Sequence, residues 1–310
     1  MFTADIHCDA LWKMSETGNH SFTENAHTLV NKYSLERGNI NVQNFALFTS
    51  PRQSIQKQRQ QIQEEVHLFE KKIIVEDTIE WKPYQRISLT SPANTHAILS
   101  LEGAGMFAND WKSWEWLKSK GVEIISLTWN EKNDLAAGSS QPNQYGLTEA
   151  GKEMIQWMNA NNIIVDASHL NEKSFWDVLD WADQVLVTHS NVKSICNHPR
   201  NLSDDQIKAL AHKKGFLGLT FYPLFLNGTE SATYADIARH LERLDQLGAL
   251  AITGFGSDFD GIDTYVDGLS GPEHLPHLIS WLTHFFDRHI IKGISGHHFK
   301  EYWNASRPNK

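Results

Sequence analysis

Histidines and carboxylates recur in this sequence at the ends of runs that predict β-strands. His7 and Asp9 are two residues apart, so on an extended chain both side chains point to the same face. His169 and His189 each stand at the polar end of a run rich in β-branched residues. Neutral imidazole nitrogens and carboxylate oxygens, without thiolates, suit zinc or a similar divalent ion. The pattern therefore predicts a metal site.

Two further carboxylates follow other predicted strands. Glu102 ends a strand at Leu-Glu-Gly-Ala, and its two oxygens are enough to bridge two cations. Asp258 lies in Ser-Asp-Phe-Asp-Gly, at the end of the last predicted strand. The candidate ligands exceed the needs of one tetrahedral ion, so we predict two divalent ions about 4 Å apart that share Glu102 and a hydroxide. The predicted ligands are His7, Asp9, Glu102, His169 and His189.

Each of these residues, taken singly, also has an ordinary structural interpretation as a rim carboxylate, a turn residue or a hydrogen-bonded histidine. Their shared position favours a site, because independent placements would not gather at the same end of five strands. His96 provides the contrast. It begins a predicted strand, so we expect it at the opposite, structural end of the fold.

The segment from 163 to 190 shows how the fold brings the two later histidines together. It reads as strand, helix and strand, with Asn171 as the cap of a helix that carries Phe175 and Val178 on one side. Parallel strands joined by a crossover helix place their carboxyl ends on the same rim. We therefore expect His169 and His189 to be neighbours.

The whole chain repeats this alternation and predicts an α/β fold, a single (β/α)8 TIM barrel over residues 1–310. A doubly wound sheet is the alternative, weakened because no glycine-rich phosphate loop follows the first strand. We expect residues 10–42 to form a loop over the rim, 74–95 to be an irregular excursion, and a short tail to follow the helix that starts at Pro272. Strands are predicted at 2–9, 42–48, 97–102, 122–128, 163–170, 185–190, 216–221 and 251–255.

Composition narrows the classes of function. The formal charge of −9 over 310 residues argues against binding to nucleic acid or to an anionic membrane. No apolar run approaches the length of a membrane span, and the first residues do not read as a signal peptide. Only two cysteines, Cys8 and Cys196, exclude a disulfide framework and suit a reducing compartment, so we expect a cytoplasmic protein.

Several motifs together resemble the membrane (renal) dipeptidase family of metal-dependent dipeptidases, and they follow the order of that family over nearly the whole chain. The family has a (β/α)8 barrel of the metal-dependent hydrolase type and a binuclear zinc centre. The matching stretches are Asp-Ile-His-Cys-Asp (5–9), Leu-Glu-Gly-Ala (101–104), Gly-Leu-Thr-Glu-Ala-Gly (146–151), Val-Asp-Ala-Ser-His (165–169), Thr-His-Ser (188–190), His-Pro-Arg-Asn (198–201) and Gly-Ser-Asp-Phe-Asp-Gly (256–261).

The resemblance implies a role for each residue of the predicted site. His7 and Asp9 hold one zinc, His169 and His189 hold the other, and Glu102 bridges them. Arg200 falls where the family grips the terminal carboxylate of a dipeptide substrate, and a guanidinium fork suits that task. Asp258 falls at the acid–base position, which makes Glu102 and Asp258 the catalytic carboxylates. A homodimer is a candidate assembly.

The sequence departs from the family pattern in two places. Trp129 replaces the usual substrate-binding histidine, so the oxyanion would depend on the metals and on a contact from Asn130, and we assign both residues to the substrate site. His297 and His298 stand where Gly-Asn is expected after Gly296, and they have no assigned role.

We therefore predict a metal-dependent dipeptidase in which a metal-bridging hydroxide attacks the peptide carbonyl. The first alternative is an amidohydrolase that acts on a non-peptide amide, lactam or ester, because Trp129 alters the part of the pocket that reads the substrate. The second alternative is a barrel that binds metal without catalysis. The complete ligand set, together with Arg200 and Asp258, argues against that loss of function.

Overall fold

Short runs of buried aliphatic residues form a closed parallel barrel in the computed structural model, which describes residues 1–23 and 27–307. The pairing order is β2-β1-β9-β8-β7-β6-β5-β4, and a β2–β4 pairing closes the ring. The strands are β1 (Thr3–Asp5), β2 (Ile40–Phe48), β3 (Ile79–Trp81), β4 (Thr95–Glu102), β5 (Val122–Ser126), β6 (Ile164–Asp166), β7 (Val185–Ser190), β8 (Phe216–Leu219) and β9 (Thr253–Phe255).

Helices surround the barrel, and most of them connect one strand to the next. The α-helices are α1 (Ala10–Thr17), α2 (Lys32–Gly38), α3 (Ile55–Leu68), α4 (Trp111–Ser119), α5 (Glu149–Ala160), α6 (Glu172–Trp181), α7 (Asp204–His212), α8 (Pro223–Leu226), α9 (Tyr234–Gln246), α10 (Leu275–Leu282), α11 (Arg288–Lys292) and α12 (His298–Ala305). Single π-helical turns cover Phe69–Ile73 and Gly293–His297, and 3₁₀ turns cover Ala104–Phe107, Leu250–Ile252 and Pro272–His274.

The predicted barrel and its eight strands are confirmed, but the strand lengths differ. β1 ends at Asp5, so His7 and Asp9 lie beyond it. The chain there is still held from both sides, because Ala46 donates to the carbonyl of Cys8 at 3.0 Å and Asp9 donates to the carbonyl of Phe259 at 2.9 Å. The two ligands therefore keep their places on the rim without belonging to the ladder.

Three segments differ from the expectation. Within 10–42 the chain forms α1 and α2 instead of a simple loop; residues 24–26 of that segment lie outside the described part. The segment 74–95 contains β3, which pairs with the first residues of β4. The predicted tail after α10 is wrong, because α11 and α12 follow. Alternating polar residues there obscured the helical period, yet Phe299 and Trp303 are buried.

The helix caps follow the sequence signals. The Asn171 side chain accepts a hydrogen bond from the Ser174 amide at the start of α6, as predicted. Ser203 and Gln206 form a capping box at the start of α7. Such caps satisfy backbone N–H groups that the first helical turn leaves unpaired. They fix where each helix begins, and therefore the length of the loops that leave the strands.

The end of the barrel away from the predicted metal site is filled by apolar residues and covered by α12. Ile6, Ile98, Ile164 and Phe216 belong to the buried cluster on the inside, together with Phe299 of α12. Within the described residues, no helix combines the length and hydropathy that a membrane crossing requires.

His96 lies at this closed end, as expected for a structural residue. It is the second residue of β4, at the other end of the strand from Glu102, and it is fully buried. Neither ring nitrogen has a hydrogen-bond partner in the described part of the chain. Burial lowers the pKa of His96 to about 4, so the ring is neutral at physiological pH.

Candidate metal centre

The predicted ligands converge at the carboxyl ends of the barrel strands. His7, Glu102 and His189 bring one ligand atom each to within 4.8 Å of one another, and His7, Asp9 and Asp258 do the same. All of these residues are buried. The two groups share His7, so the cluster is continuous, and its size fits two neighbouring cations.

Glu102 stands between two histidines that are far apart in the sequence. Its Oε1 lies 2.8 Å from Nε2 of His169, and its Oε2 lies 3.3 Å from Nε2 of His7. Each carboxylate oxygen thus faces a different ring. This is the arrangement that a bridging ligand requires.

Two neighbours determine which nitrogen of His169 faces the centre. Its Nδ1 lies 2.9 Å from Oδ1 of Asn130, which also accepts a hydrogen bond from Ser139 at 3.0 Å. Nη2 of Arg200 lies 2.9 Å from Nε2 of His169 and can only donate. Nδ1 therefore carries the hydrogen, and the Nε2 lone pair faces the centre.

His189 is oriented through a hydroxyl group. Oγ1 of Thr188 donates to Oδ2 of Asp166 at 2.6 Å and lies 2.9 Å from Nδ1 of His189. Since the hydroxyl hydrogen is used on Asp166, the oxygen accepts from the imidazole N–H. Nε2 of His189 is then the free nitrogen. Such contacts commonly fix the tautomer of a metal-binding histidine.

His7 has both ring nitrogens buried without hydrogen-bond partners among the described residues. Its Nε2 lies 3.4 Å from Oδ2 of Asp9 and 3.8 Å from Oδ1 of Asp258, without hydrogen-bond geometry. Asp5, which precedes the ligands in the sequence, does not join them. It accepts hydrogen bonds from the amide and hydroxyl of Ser257 at 2.8 and 2.6 Å, which ties β1 to the loop after β9.

The donor set fits divalent cations. Nε2 of His169 and Nε2 of His189 lie 2.8 Å apart, and Oε1 of Glu102 is 2.8 Å from the first of them. These atoms present lone pairs to one another, an arrangement that a cation between them would stabilise. The unpartnered nitrogens of His7 give the same indication on the other side.

The pKa values agree with neutral imidazoles on one side of the centre. Burial, together with Arg200, lowers the pKa of His169 to about 4. Burial lowers the pKa of His189 well below its usual value, and His7 and Arg200 add to the effect. Burial acts to raise the pKa of Glu102, but His169 and His7 overcome it, so the group is held as a carboxylate. Neutral histidine and ionised glutamate are the forms that bind metal.

The loop after β9 is shaped for close approach to the centre. Asp258 and Asp260 have positive φ angles of 69°, and His169 across the barrel has a φ of 65°. Such angles are costly outside glycine and cluster at functional sites. A Cβ on Gly261 would lie 2.2 Å from Oδ2 of Asp9 and 2.7 Å from Oδ1 of Asp258. The glycine therefore makes room for two site carboxylates.

Asp260 connects this loop to the long segment after α1. Its two carboxylate oxygens accept hydrogen bonds from the amides of Leu29 and Val30 at 2.7 and 2.9 Å. Part of the segment predicted to lie over the rim is thus attached to the site.

A cavity of about 940 Å³ opens over the cluster, and each predicted substrate residue lines it. Arg200 is buried, its Nε has no partner among the described residues, and burial lowers its pKa to about 10, so it remains charged. Trp129 packs 6.1 Å from the ring of His169. Asn130 uses its Oδ1 to position His169, so its Nδ2 is the group that would donate to an oxyanion.

His297 and His298 lie far from the centre. His298 is 3.1 Å from the carbonyl of Thr253, at the start of β9, and His297 packs against Phe2 with ring centroids 5.4 Å apart. Both contacts are at the closed end of the barrel. The unusual pair in the sequence therefore belongs to the packing of α12.

A family model described as membrane dipeptidase (peptidase family M19) matches residues 1–305. The chain belongs to this family. Family M19 consists of metallopeptidases, and the family interpretation of the sequence is confirmed. The buried clusters described above are candidate metal sites of this M19 chain.

Relatives and solved structures extend the comparison. An uncharacterized protein from the pqqA 5' region of Klebsiella pneumoniae is 35% identical over 196 residues, which is 60% of this chain and 72% of that protein. Dipeptidase aclJ of Aspergillus oryzae is 29% identical over 66% of this chain, but the match spans only half of its length. A Rhodobacter sphaeroides metallopeptidase, solved with a phosphinate mimic of L-Ala-D-Ala, has a TM-score of 0.90 at 21% identity, with 99% of both chains covered. This last likeness establishes the fold.

Sequence reasoning missed several residues of the M19 site. Asp166 and Thr188 lie within the motifs that contain His169 and His189. The spacing of residues in the sequence does not predict the hydrogen bonds that link Asp166, Thr188 and His189. Trp12 and Phe48 line the cavity and were not assigned. The available signal was their position at the functional rim, since Trp12 follows β1 and Phe48 ends β2.

Proposed function

We propose that this M19 chain is a dipeptidase that works with two divalent ions, and that zinc is the metal. The single observation that carries the proposal is the position of the Arg200 guanidinium, whose Nη2 is 2.9 Å from Nε2 of His169. A fixed positive charge beside the candidate metal ligands would bind the substrate carboxylate next to the ions. A dipeptide has its carboxylate one residue beyond the scissile bond, so it would bring that carboxylate close to the ions.

The ligand assignment follows from the contacts. His7 and Asp9 would hold one ion, His169 and His189 the other, and Glu102 would take part in both. Asp258 is also close enough to His7 and Asp9 to be tested as a ligand. When bound, such ions activate water and polarise a carbonyl. The protein supplies a buried and preorganised environment for this chemistry.

Proton transfer is assigned to Asp258. Burial raises the pKa of Asp258 well above its usual value, with Asp9 and Glu102 adding to burial and His7 opposing it. Once a carboxylate has accepted a proton, a raised pKa favours keeping that proton until it is delivered to the leaving amine. Its Oδ1 faces the cluster, where it would accept the proton from water and pass it to the amine nitrogen.

Arg200 is assigned to the substrate's free carboxylate. Its Nε is buried without a partner among the described residues, and Nη2 makes a contact that a bound metal would change. A planar guanidinium binds a carboxylate through two parallel hydrogen bonds. Dipeptides should therefore be preferred over peptides with a blocked or distant C-terminus.

An amidohydrolase with a non-peptide substrate is the second candidate, because Trp129 occupies the place of a polar family residue beside His169. The cytoplasmic location and the homodimer stay predictions. Both cysteines, Cys8 and Cys196, are free thiols. The test is removal of metal by a chelator, followed by zinc titration and a panel of dipeptides, their amides, a lactam and an ester. Dipeptide hydrolysis that returns with zinc supports the proposal. Cleavage of the lactam or ester alone supports the second candidate.

A further inference from the structure

Three aromatic rings form a continuous surface on one side of the cavity, and we call Trp12, Phe48 and Trp129 the aromatic wall. The rings of Trp12 and Phe48 are 6.0 Å apart at 76°, and those of Phe48 and Trp129 are 5.6 Å apart at 53°. All three residues line the same cavity as the metal ligands. The wall reaches the centre at His169, whose ring lies 6.1 Å from that of Trp129.

Phe48, in the middle of the wall, stands across the barrel from the residue assigned to the carboxylate, and Trp129 lies nearer to that residue. Trp12, Phe48 and Trp129 follow or end β1, β2 and β5, whereas Arg200 follows β7. In the closed ring, β7 and β8 lie opposite β2 and β4. A dipeptide whose carboxylate is held by Arg200 and whose peptide bond lies over the centre would direct its N-terminal residue toward Phe48.

Buried hydrogen bonds hold the wall in place. The amide of Phe48 donates to Oε2 of Glu65 at 2.8 Å, and Thr49 donates to Gln61 at 2.9 Å. Both acceptors lie on α3 and are buried. The wall is thus attached to a helix of the barrel, and little ordering is required when a ligand packs against it.

The Trp129 end of the wall is equally constrained. A Cβ on Gly138 would lie 2.2 Å from the carbonyl oxygen of Trp129, so the next loop packs directly on this backbone. Ser140 donates to the carbonyl of Asn130 through its amide at 3.0 Å and through its hydroxyl at 2.6 Å. The indole is therefore presented to the cavity from a fixed backbone.

We propose that the aromatic wall selects dipeptides with an aromatic or large aliphatic N-terminal side chain. The inference rests on the proposed dipeptidase function and names its substrate class. Aromatic pairs gain from offset or edge-on packing, and apolar contact displaces water from the rings. A hydrophobic subsite distinguishes side chains by roughly 10-fold or more when they differ by one or more methylene groups.

The experiment compares kcat/KM for Phe-Ala, Ala-Phe and Ala-Ala with the zinc-loaded protein. We expect Phe-Ala to exceed Ala-Ala by roughly 10-fold or more, with Ala-Phe gaining less. Equal rates for Phe-Ala and Ala-Ala would overturn the inference and leave the dipeptidase function intact. A larger gain for Ala-Phe would overturn the assignment of the N-terminal residue. Failure to hydrolyse any dipeptide would instead count against the proposed function.

Variants then test which residues are responsible. Phe48→Ala should lower the ratio of Phe-Ala to Ala-Ala toward one, and Phe48→Leu should retain part of it. Trp111→Ala is the matched control, because Trp111 is exposed on α4 and away from the cavity. It should leave the ratio unchanged. Since the wild-type ratio alone tests the preference, a variant that fails to fold does not remove the test. An unchanged ratio in folded Phe48→Ala would contradict the assignment.

Discussion

The Nε2 atoms of His169 and His189 lie 2.8 Å apart, and each ring has its other nitrogen engaged by a neighbour. Asn130 accepts from one ring and Thr188 from the other, so two lone pairs are directed at the same small space. The fold keeps these two lone pairs close together despite their mutual repulsion, and a cation between them would remove that repulsion. In the proposed function, these two nitrogens would be preorganised for metal binding.

Glu102→Gln should reduce metal content at both positions. The change keeps the shape but removes the charge that faces His7 and His169. Purified wild-type protein should carry close to two equivalents of divalent metal by elemental analysis, and the variant distinctly fewer. Glu149→Gln, at an exposed carboxylate, is the control. A wild type with one ion and an unchanged variant would disprove the binuclear centre.

Thr188→Val should weaken zinc binding at the His189 side by roughly 10-fold or more, the size expected for loss of an outer hydrogen bond to a ligand. Valine keeps the branched shape but cannot link Nδ1 of His189 to Asp166. Competition with a chromophoric chelator measures the affinity directly. Thr188→Ser retains the hydroxyl and should restore most of it. Equal affinities for the valine and serine variants would show that the hydroxyl has no such role.

Asp258→Asn should lower kcat by roughly 100-fold or more, because an amide cannot accept and return a proton. Turnover of a good dipeptide and the metal content should be measured on the same preparation. Retained metal with lost turnover supports acid–base catalysis. Loss of one ion would instead show that Asp258 is a ligand, as its position near His7 and Asp9 allows.

Arg200→Ala should mainly lower kcat/KM for dipeptides with a free carboxylate and should affect the corresponding amides much less. Arg200→Lys keeps the charge but loses the bidentate fork, so an intermediate defect is expected. The measurement compares one dipeptide with its amide in all three proteins. If the wild type cleaves both equally well, Arg200 does not read the carboxylate.

His96→Leu should make the fold less sensitive to acid. The pKa of His96 falls to about 4 on burial, below its unfolded value, so its contribution to stability is present above the unfolded pKa and is lost as pH falls. Between about pH 7 and pH 5 this costs the wild type about 2 kcal/mol of unfolding free energy. Denaturant titrations at both pH values should show a smaller loss in the variant. His240, whose pKa is also lowered to about 4 by burial, would retain its own share. Identical losses in the two proteins would contradict this origin.

The sequence predicted the barrel and the cluster because both depend on a periodic signal. Strand-like runs end in polar residues, and parallel topology brings those ends together, so His169 and His189 could be placed without coordinates. The hydrogen bonds between Thr188, Asp166 and His189 could not be predicted, because they depend on the orientations of side chains from two strands. The aromatic wall was missed for the same reason. α12 was missed because its helical period is weak and its burial comes from covering the barrel.

Asp5 and Ser257 are hydrogen-bonded although 252 positions separate them in the chain, and the site residues next to this contact, His7 and Asp258, follow the first and last barrel strands. During synthesis, the ribosome must therefore have produced most of the protein before Asp258 can lie beside His7, although the last assigned metal ligand, His189, is made much earlier. Completion of the catalytic site would in this sense be a late step of biogenesis. The hydrogen bonds from Ser257 to Asp5 join the two ends of the ring at that step.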